Sequence, residues 1–451
     1  MNKIYQSFWK VSCFSFASFV VLFCLLLMDT PAAQVGKAQQ HATEAVTVDT
    51  KAFLKVPANV NGDFILAKTP PKVDVVFFDG LDKKTKGTLW STWGDGCLAS
   101  NGKYYTSIGD HLGIDGKCYV YEYDPETRIL RRVVDVLQAI MHMLGLYGHG
   151  KIHSGIHEGA DGKLYFTTYW GKHRQIEEAF KKGGYDGSIL LRFDPKTGKT
   201  ENLGAIVPQQ GLPASTFDPK HQNLFFHAVY EGDICVYNVE KQKRLFLGGR
   251  DITEGTRTFL RGNDGRVYFS TKNGTLGFYD PATNSLQHTK AKLPESPGKK
   301  KGDSLRAATN PAKDGTLYGM TASGRMFRFQ PKSETVKDLG YNFLEGDYTA
   351  VMALSPDEKY LYYAPGAHGS GNRTGCPVIQ YDIFTGKRKV LAFLKTPLLE
   401  RFQYKLGGTY NLQLDAKGER LFITFNGGEL SARNAFGHPS VVVVHIPESE
   451  R

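Results

Sequence analysis

The chain reads as a seven-bladed β-propeller, an all-β ring of small four-stranded sheets, and three observations predict it. One short turn-and-strand element recurs seven times, a second strand closed by a turn follows each of the first six copies, and a spare strand precedes the first. Long helical periodicity is scarce. Runs of Val, Ile, Tyr, Phe and Thr are instead separated by Asp-Gly, Asn-Gly and Pro-containing turns, which is how antiparallel strands are punctuated.

The first element begins as Gly102-Lys103-Tyr104-Tyr105-Thr106 and returns as Asp161-Gly162-Lys163-Leu164-Tyr165-Phe166-Thr167 and Asn223-Leu224-Phe225-Phe226. It continues as Asp264-Gly265-Arg266-Val267-Tyr268-Phe269-Ser270, Asp314-Gly315-Thr316-Leu317-Tyr318, Asp357-Glu358-Lys359-Tyr360-Leu361-Tyr362 and Lys417-Gly418-Glu419-Arg420-Leu421-Phe422. The second element is Tyr121-Glu122-Tyr123-Asp124-Pro125, Leu191-Arg192-Phe193-Asp194-Pro195, Val236-Tyr237-Asn238, Gly277-Phe278-Tyr279-Asp280-Pro281, Phe327-Arg328-Phe329-Gln330-Pro331 and Ile379-Gln380-Tyr381-Asp382. A sheet of this size cannot bury both its faces alone, so the units must stack on one another. The seventh lacks an outer strand, because its last strand, residues 441–446, ends the chain. The run Val73-Asp74-Val75-Val76-Phe77-Phe78 can supply it and close the ring between the N- and C-terminal strands. A solenoid would also satisfy the repeat, and six or eight blades would follow if one match were spurious; the spare strand favours closure.

The ends divide the chain into a signal peptide at 1–33, a linker and lead-in at 34–70 and the propeller at 71–451. Lys3 and Lys10 precede an apolar run over 11–28, and the small residues of Thr30-Pro31-Ala32-Ala33 suit a signal peptidase. An uncleaved anchor is the other reading of that run. Export leaves Cys97, Cys118, Cys235 and Cys376 where disulfides are permitted. No CxxC pair and no haem attachment motif is present. A formal net charge of +11 at pH 7 attracts polyanions, which outside the cytoplasm are acidic polysaccharides or envelope surfaces more often than nucleic acid. A basic surface kept for solubility explains the charge equally well. Lys299-Lys300-Lys301 and Arg388-Lys389 read as solvent-facing runs.

In a propeller the loops leaving second strands and those leading into inner strands meet on one face around the axis. The second blade has the unusual pair: Gly148-His149-Gly150-Lys151-Ile152-His153-Ser154 leads in, and Tyr169-Trp170-Gly171-Lys172-His173-Arg174 leads out. His149, His153 and His173 come within reach of one another there, with Tyr169 and Trp170 as aromatic walls. Packing histidines in a long insertion with a helix-like stretch at 175–182 are the alternative, and His157 reads as structural. The next blades bring His227 and Tyr230, then Arg250 and Arg257, to the same face. A histidine, an arginine and a tyrosine are what β-elimination on a uronic-acid polymer needs: a base for the proton beside the carboxylate, a cation to neutralise that carboxylate, and a donor for the leaving oxygen.

Lys151-Ile152-His153-Ser154, with His173 and then a tyrosine and an arginine from the following blades, resembles the seven-bladed ulvan lyases, which cleave a sulfated glucuronate-containing algal polysaccharide. The likeness spans the chain from about residue 72 onward. It implies His153 as base, Tyr230 as acid, His173 as a sugar-binding group and an arginine as carboxylate neutraliser. Arg250 and Arg257 are equally placed for that last role. The expected partner is then an acidic polysaccharide, with no nucleic acid and no stable membrane insertion once the signal is cleaved.

Three other readings stay open. His111 with Cys118, and His368 with Cys376, occupy corresponding loops and suit zinc, although each pair gives half of a structural site; no cofactor is required, and a zinc or calcium ion is left open. A noncatalytic carbohydrate- or protein-binding propeller would keep the same basic and aromatic face without needing His153. A glycosidase would need paired carboxylates across the sugar, and a lactonase a carboxylate-rich calcium centre; the face offers neither. A quinone-dependent dehydrogenase is a further propeller enzyme.

Overall fold

The structure, a computed structural model, describes residues 42–82, 89–172, 183–295, 303–344, 349–431 and 435–451. They form seven antiparallel sheets arranged as the blades of a propeller. From the inner strand outward, blade 1 is Cys97–Leu98, Tyr104–Gly109, Cys118–Asp124 and Ile129–Asp135. Blade 2 is Lys151–Ile152 with His157–Glu158, then Leu164–Tyr169, Ile189–Phe193 and Thr200–Ala205. Blade 3 runs Gly211–Asp218, Asn223–Val229, Ile234–Asn238, Lys243–Gly248, and blade 4 Leu260–Arg261, Val267–Ser270, Thr275–Asp280, Ser285–Lys292. Blade 5 is Leu305–Ala308, Leu317–Thr321, Arg325–Gln330 and Thr335–Tyr341; blade 6 is Met352–Leu354, Tyr360–Tyr363, Pro377–Asp382 and Arg388–Phe393. Blade 7 takes Tyr404–Leu414, Arg420–Glu429 and Ser440–His445 from the C-terminus and Lys72–Phe77 from the N-terminus. The spare strand closes the ring as expected, with Val442 opposite Val75.

Burial explains why the second strands are rich in apolar and aromatic residues with no polar alternation. A strand sandwiched between neighbouring blades is covered on both faces, and Tyr104–Gly109 is buried at every position. Outer strands lie at the rim, and Ser285–Lys292 is largely open to solvent. Each of the seven seams between blades has its own apolar cluster, such as Tyr105, Val120, Phe166 and Leu191 between blades 1 and 2. Every recurrent turn places one residue in the left-handed region. Gly102, Gly162, Gly265, Gly315 and Gly418 do so without a Cβ penalty, whereas Gln222 and Glu358 hold the position in blades 3 and 6. Those two blades therefore repeat the turn without repeating its glycine.

The final seam carries polar latches besides apolar contact. Tyr104 Oη meets Thr424 Oγ1 at 2.8 Å and also bonds Asn411, whose Nδ2 donates to Thr106 Oγ1 at 2.9 Å. All four side chains are buried, so each bond made there spares a desolvated polar group.

The lead-in expected at 34–70 is, from residue 42 onward, part of the rim. Ala42–Glu44 pairs with the outer strand of blade 1, Val46–Asp49 with Lys72–Phe77, and Ile65–Leu66 runs parallel to the outer strand of blade 6. Residues 1–33, expected to be a signal peptide, and the lysine run at 299–301 lie outside the described residues. No helix among the described residues is long and apolar enough to cross a membrane.

Arg388 and Lys389 do not face solvent as expected. Arg388 Nε donates to the Asn342 carbonyl at 2.8 Å, and Lys389 Nζ reaches Glu450 Oε2 at 2.8 Å. Glu450 also accepts from the backbone N–H groups of Lys68 at 2.6 Å and Thr69 at 3.0 Å, tying the last residues of the chain to the lead-in. Burial would push its carboxyl up, but Lys389 and the two N–H donors outweigh that and hold it below the ordinary value. Glu450→Gln is expected to cost about 1.5–3 kcal/mol, the usual worth of hydrogen bonds to a charged group. A depressed folded-state pKa stabilises above the unfolded value and loses its effect as pH falls through the folded one. The gap between wild type and variant in urea unfolding should therefore be full at neutral pH and shrink below about pH 4.3; a gap that does not change with pH would show that the charge is irrelevant.

Candidate functional site

All seven inner strands surround a cavity of about 440 Å³, within the range typical of ligand pockets (about 300–1,000 Å³). At one end it is lined by Trp93, His153, Pro213, Arg257, Arg306 and Tyr410, and at the other by Leu98, Glu158, Phe217, Arg261, Asn310 and Leu414. Apart from Tyr410, which lies within the long inner strand Tyr404–Leu414, the first group stands at or near the starts of the inner strands, the face on which sequence placed the site.

Trp93 is the centre of this mouth. Its ring stacks on Tyr410 at 4.9 Å and on His153 at 5.9 Å, with His111 at 4.9 Å and His368 at 5.5 Å. The Lys151 ammonium lies over Trp93 at 5.5 Å and over Tyr169 at 5.8 Å, and Tyr169 packs against His153 at 5.2 Å. Arg306 sits over Tyr410 at 5.4 Å. Arg257, exposed at the rim, is in hydrogen-bonding reach of the Tyr169 hydroxyl.

The electrostatics of the cluster are set by cations crowded around a neutral histidine. His153 Nδ1 lies 2.8 Å from the Pro213 carbonyl, so Nδ1 carries the proton and Nε2 keeps its lone pair. Burial pushes the imidazole well below its ordinary value, and Arg257 and Lys151 push it further. Lys151 itself is lowered to about 8, by burial first and Arg257 second. Burial likewise brings His368 to about 4, with Arg306 and Arg257 adding to it. Neither Lys151 nor Arg257 makes an ion pair with a carboxylate among the described residues. Among the described residues their charges have no carboxylate to neutralise them.

Of the residues expected from sequence, His153, Tyr169 and Arg257 come together here. Arg250 does not: its guanidinium binds Asp233 Oδ2 at 2.6 Å and also Glu231, which consumes its charge within blade 3. Of the two arginines, Arg257 lines the cavity and Arg250 does not. Arg250→Ala is accordingly expected to leave turnover within about threefold of wild type, since a surface pair is worth about 0–1 kcal/mol; steady-state rates on the substrate would show it, and a hundredfold loss would return Arg250 to the site.

His149 and Trp170 do not line the mouth. His149 is 1% exposed, its Nδ1 is 2.8 Å from Thr168 Oγ1, and its ring packs on Tyr185 at 4.9 Å. Burial lowers it to about 3, so it is a neutral packing histidine. Trp170 is fully buried behind Tyr169 and acts as a floor for Tyr230, which stacks on it at 5.4 Å and is 49% exposed. His227 is buried as well, at 5% exposure. His173 lies outside the described residues, as does the stretch at 175–182 expected to be helical. His157 is structural as expected, with Nε2 at 2.8 Å from Ser215 Oγ.

The His–Cys pairs separate. His111 turns toward Trp93 while Cys118 joins the apolar seam of blades 1 and 2; Cys376 Sγ donates to the Gly407 carbonyl at 3.2 Å, away from His368. No group of three or more His, Cys, Asp or Glu among the described residues is placed to hold a metal ion, zinc or calcium. Cys97, Cys118, Cys235 and Cys376 are free thiols.

Trp93, Arg306 and Tyr410 are the residues that sequence reading passed over. Trp93 precedes Asn101, and Arg306 precedes Asp314, by the same interval that separates His153 from Asp161. Aligning the blades on their turns, rather than scanning for histidines, exposes both.

No family model matches the chain, and no curated protein matches it. Among solved structures, one described as "Structure of U3-55K" resembles it at 10% identity and a TM-score of 0.49, covering 82% of this chain and 98% of that one. Nothing in the site is taken from that likeness.

Proposed function

We propose that the protein is an exported lyase that cleaves an acidic, uronate-containing polysaccharide of the ulvan kind by β-elimination. One observation carries the reading: His153, held neutral with Nε2 as its basic nitrogen, is flanked by Lys151 and Arg257, two cations without a carboxylate partner among the described residues. A neutral base among uncommitted positive charges suits an acidic proton next to a carboxylate. The apolar run over 11–28 behind Lys3 and Lys10 supports export.

In the proposed step Arg257, with Lys151 and Arg306 behind it, binds the uronate carboxylate and withdraws charge from the adjoining carbon. His153 Nε2 takes the proton from that carbon. The electron pair passes through the enolate to form the ring double bond, and the neighbouring carbon–oxygen bond breaks. The leaving oxygen takes a proton from a tyrosine, and solvent then resets both groups: His153 gives its proton to water and the tyrosinate takes one back from water. Tyr230, half exposed and stacked on Trp170, takes the role of that tyrosine.

The test is to incubate purified protein with ulvan, pectate, alginate and glycosaminoglycans and follow the ultraviolet absorbance of the unsaturated uronate. A rise on one polymer supports the lyase; no rise on any, with retained binding to a polyanion, gives way to a noncatalytic binding propeller. Tyr230→Phe is expected to lower kcat about 10²-fold or more on that polymer, the lower range for general acid catalysis. Full activity in Tyr230→Phe together with loss in Tyr410→Phe would transfer the acid role to the tyrosine inside the cavity.

A further inference from the structure

We propose that the axial cavity is a chain-end subsite in which Arg261 binds a second anionic group of the polysaccharide, away from the carboxylate at Arg257. This rests on the lyase reading of the mouth and adds how the polymer is held and where it is cut.

Arg257 and Arg261 stand on the same stretch of blade 4 and both line the cavity, at opposite ends of it. The chain between them spans at most about 14 Å, the scale of a short oligosaccharide rather than a single sugar. Arg261 donates to Asn310 Oδ1 at 3.0 Å and makes no ion pair with any carboxylate among the described residues. Burial disfavours its charge, and the carboxylate that opposes this, Asp218, is already held by His221 Nδ1 at 2.5 Å and by the Lys220 N–H at 3.0 Å. A partly buried guanidinium facing a cavity without a counterion is stabilised by any anion that reaches it.

The groups around Arg261 do not compete for it. Glu158 accepts from Ser100 N at 2.8 Å and Ser100 Oγ at 2.6 Å. His157 is bonded to Ser215, and burial, with Arg261 adding to it, lowers it to about 4, so it adds no charge at neutral pH. Between the two arginines the wall is formed by Gly155, Ala308, Met352 and Leu412, small or apolar surfaces on which sugar faces can pack.

A cavity of about 440 Å³ enclosed by seven blades admits the end of a chain, not a polymer passing through sideways. Cleavage at His153 then releases a piece whose length is set by the depth of the cavity. The products should be uniform in length from the first turnovers.

The test uses full-length protein carrying His153→Ala, so that ligand is bound but not cut. It is titrated by calorimetry with glucuronate and with ulvan oligosaccharides of two, four and six sugars prepared by mild acid. Affinity is expected to rise from glucuronate to the tetrasaccharide. Adding Arg261→Gln should remove about 10-fold or more of the tetrasaccharide affinity, as expected for a charge-assisted bond, and leave glucuronate binding unchanged. Arg261→Lys should retain most of it, and thermal unfolding of each variant reports whether the fold survives. Equal tetrasaccharide affinity in Arg261→Gln and its parent overturns the subsite, as does an oligosaccharide series no tighter than glucuronate. Chromatography of early wild-type products separates the two claims. A random ladder with a strong ultraviolet signal sinks the chain-end subsite and spares the lyase, whereas Arg261-dependent binding with no ultraviolet signal does the reverse.

Discussion

His153→Ala is expected to lower kcat on the polymer by about 10²–10⁴-fold, the range for removing a general base, with little change in KM. The side chain is partly open to the cavity and hydrogen-bonds the Pro213 carbonyl, so its loss leaves few buried partners stranded. The variant should therefore unfold at nearly the wild-type temperature and still bind the polyanion through Arg257 and Lys151. The pH profile gives a second handle. Burial, Arg257 and Lys151 hold the imidazole well below the ordinary value of about 6.5, so it stays an unprotonated base through mildly acidic conditions. Turnover should persist well below pH 6.5 and fall only once His153 takes up a proton. A profile that drops across the ordinary histidine range would mean that a different, unburied histidine is the base. Substantial activity in His153→Ala would remove the residue from the mechanism altogether.

Arg257→Gln is the second large effect, with an expected loss of about 10²–10³-fold in kcat, as for other groups aimed at developing charge. The charge on the uronate grows as the proton leaves, so the guanidinium gains most in the transition state, and kcat should suffer more than KM. Arg257→Lys keeps the charge and loses the fork, and should fall between. Lys151 modulates the same field. Its amine is lowered to about 8, so as pH rises through that value the site loses one positive charge, and KM for a polyanion should rise. Lys151→Arg should move this alkaline limb upward, because a guanidinium does not titrate there. If Lys151→Arg leaves the limb in place, the titrating group lies elsewhere. If Arg257→Gln and Arg250→Ala behave alike, the neutralising role does not belong to Arg257.

The fold was legible because each blade repeats its own local physics. Turns such as Asp161-Gly162 and Asp314-Gly315 announce a left-handed residue, and the strands after them are buried at every position because both faces meet a neighbouring blade. Where the signal was weak, as at Gln222 and Glu358, the strands on either side still marked the unit. The lead-in was harder to read: Ala42–Glu44 and Ile65–Leu66 are short edge strands whose pairing partners lie far along the chain. Arg388 and Lys389 were misread for a related reason. A pair of charges in an outer strand looks like a solvated rim until Glu450 and the Asn342 carbonyl are brought against it.

Of the candidate site, the sequence pointed to the face and to three residues that the fold brings together. His153, Tyr169 and Arg257 stand out because a histidine, an aromatic and an arginine border blade strands on the expected side. His149 stood out for the same reason and is a packing residue, because one strand position decides whether a ring turns toward Tyr185 or toward the axis. Trp93, Arg306 and Tyr410 carry no signal as residue types.

The sequence by itself determined the number of blades, the closing strand and the face that gathers functional side chains, since these follow from local turn chemistry and from strands that need cover on both sides. Only the tertiary structure decided which charges remain uncommitted there. Arg250 and Arg257 have the same intrinsic chemistry; Asp233 and Glu231 neutralise the first, and the second faces the cavity beside Tyr169. Ion pairing depends on distances of a few ångströms between residues of different strands and blades, and that information exists only once the ring has closed.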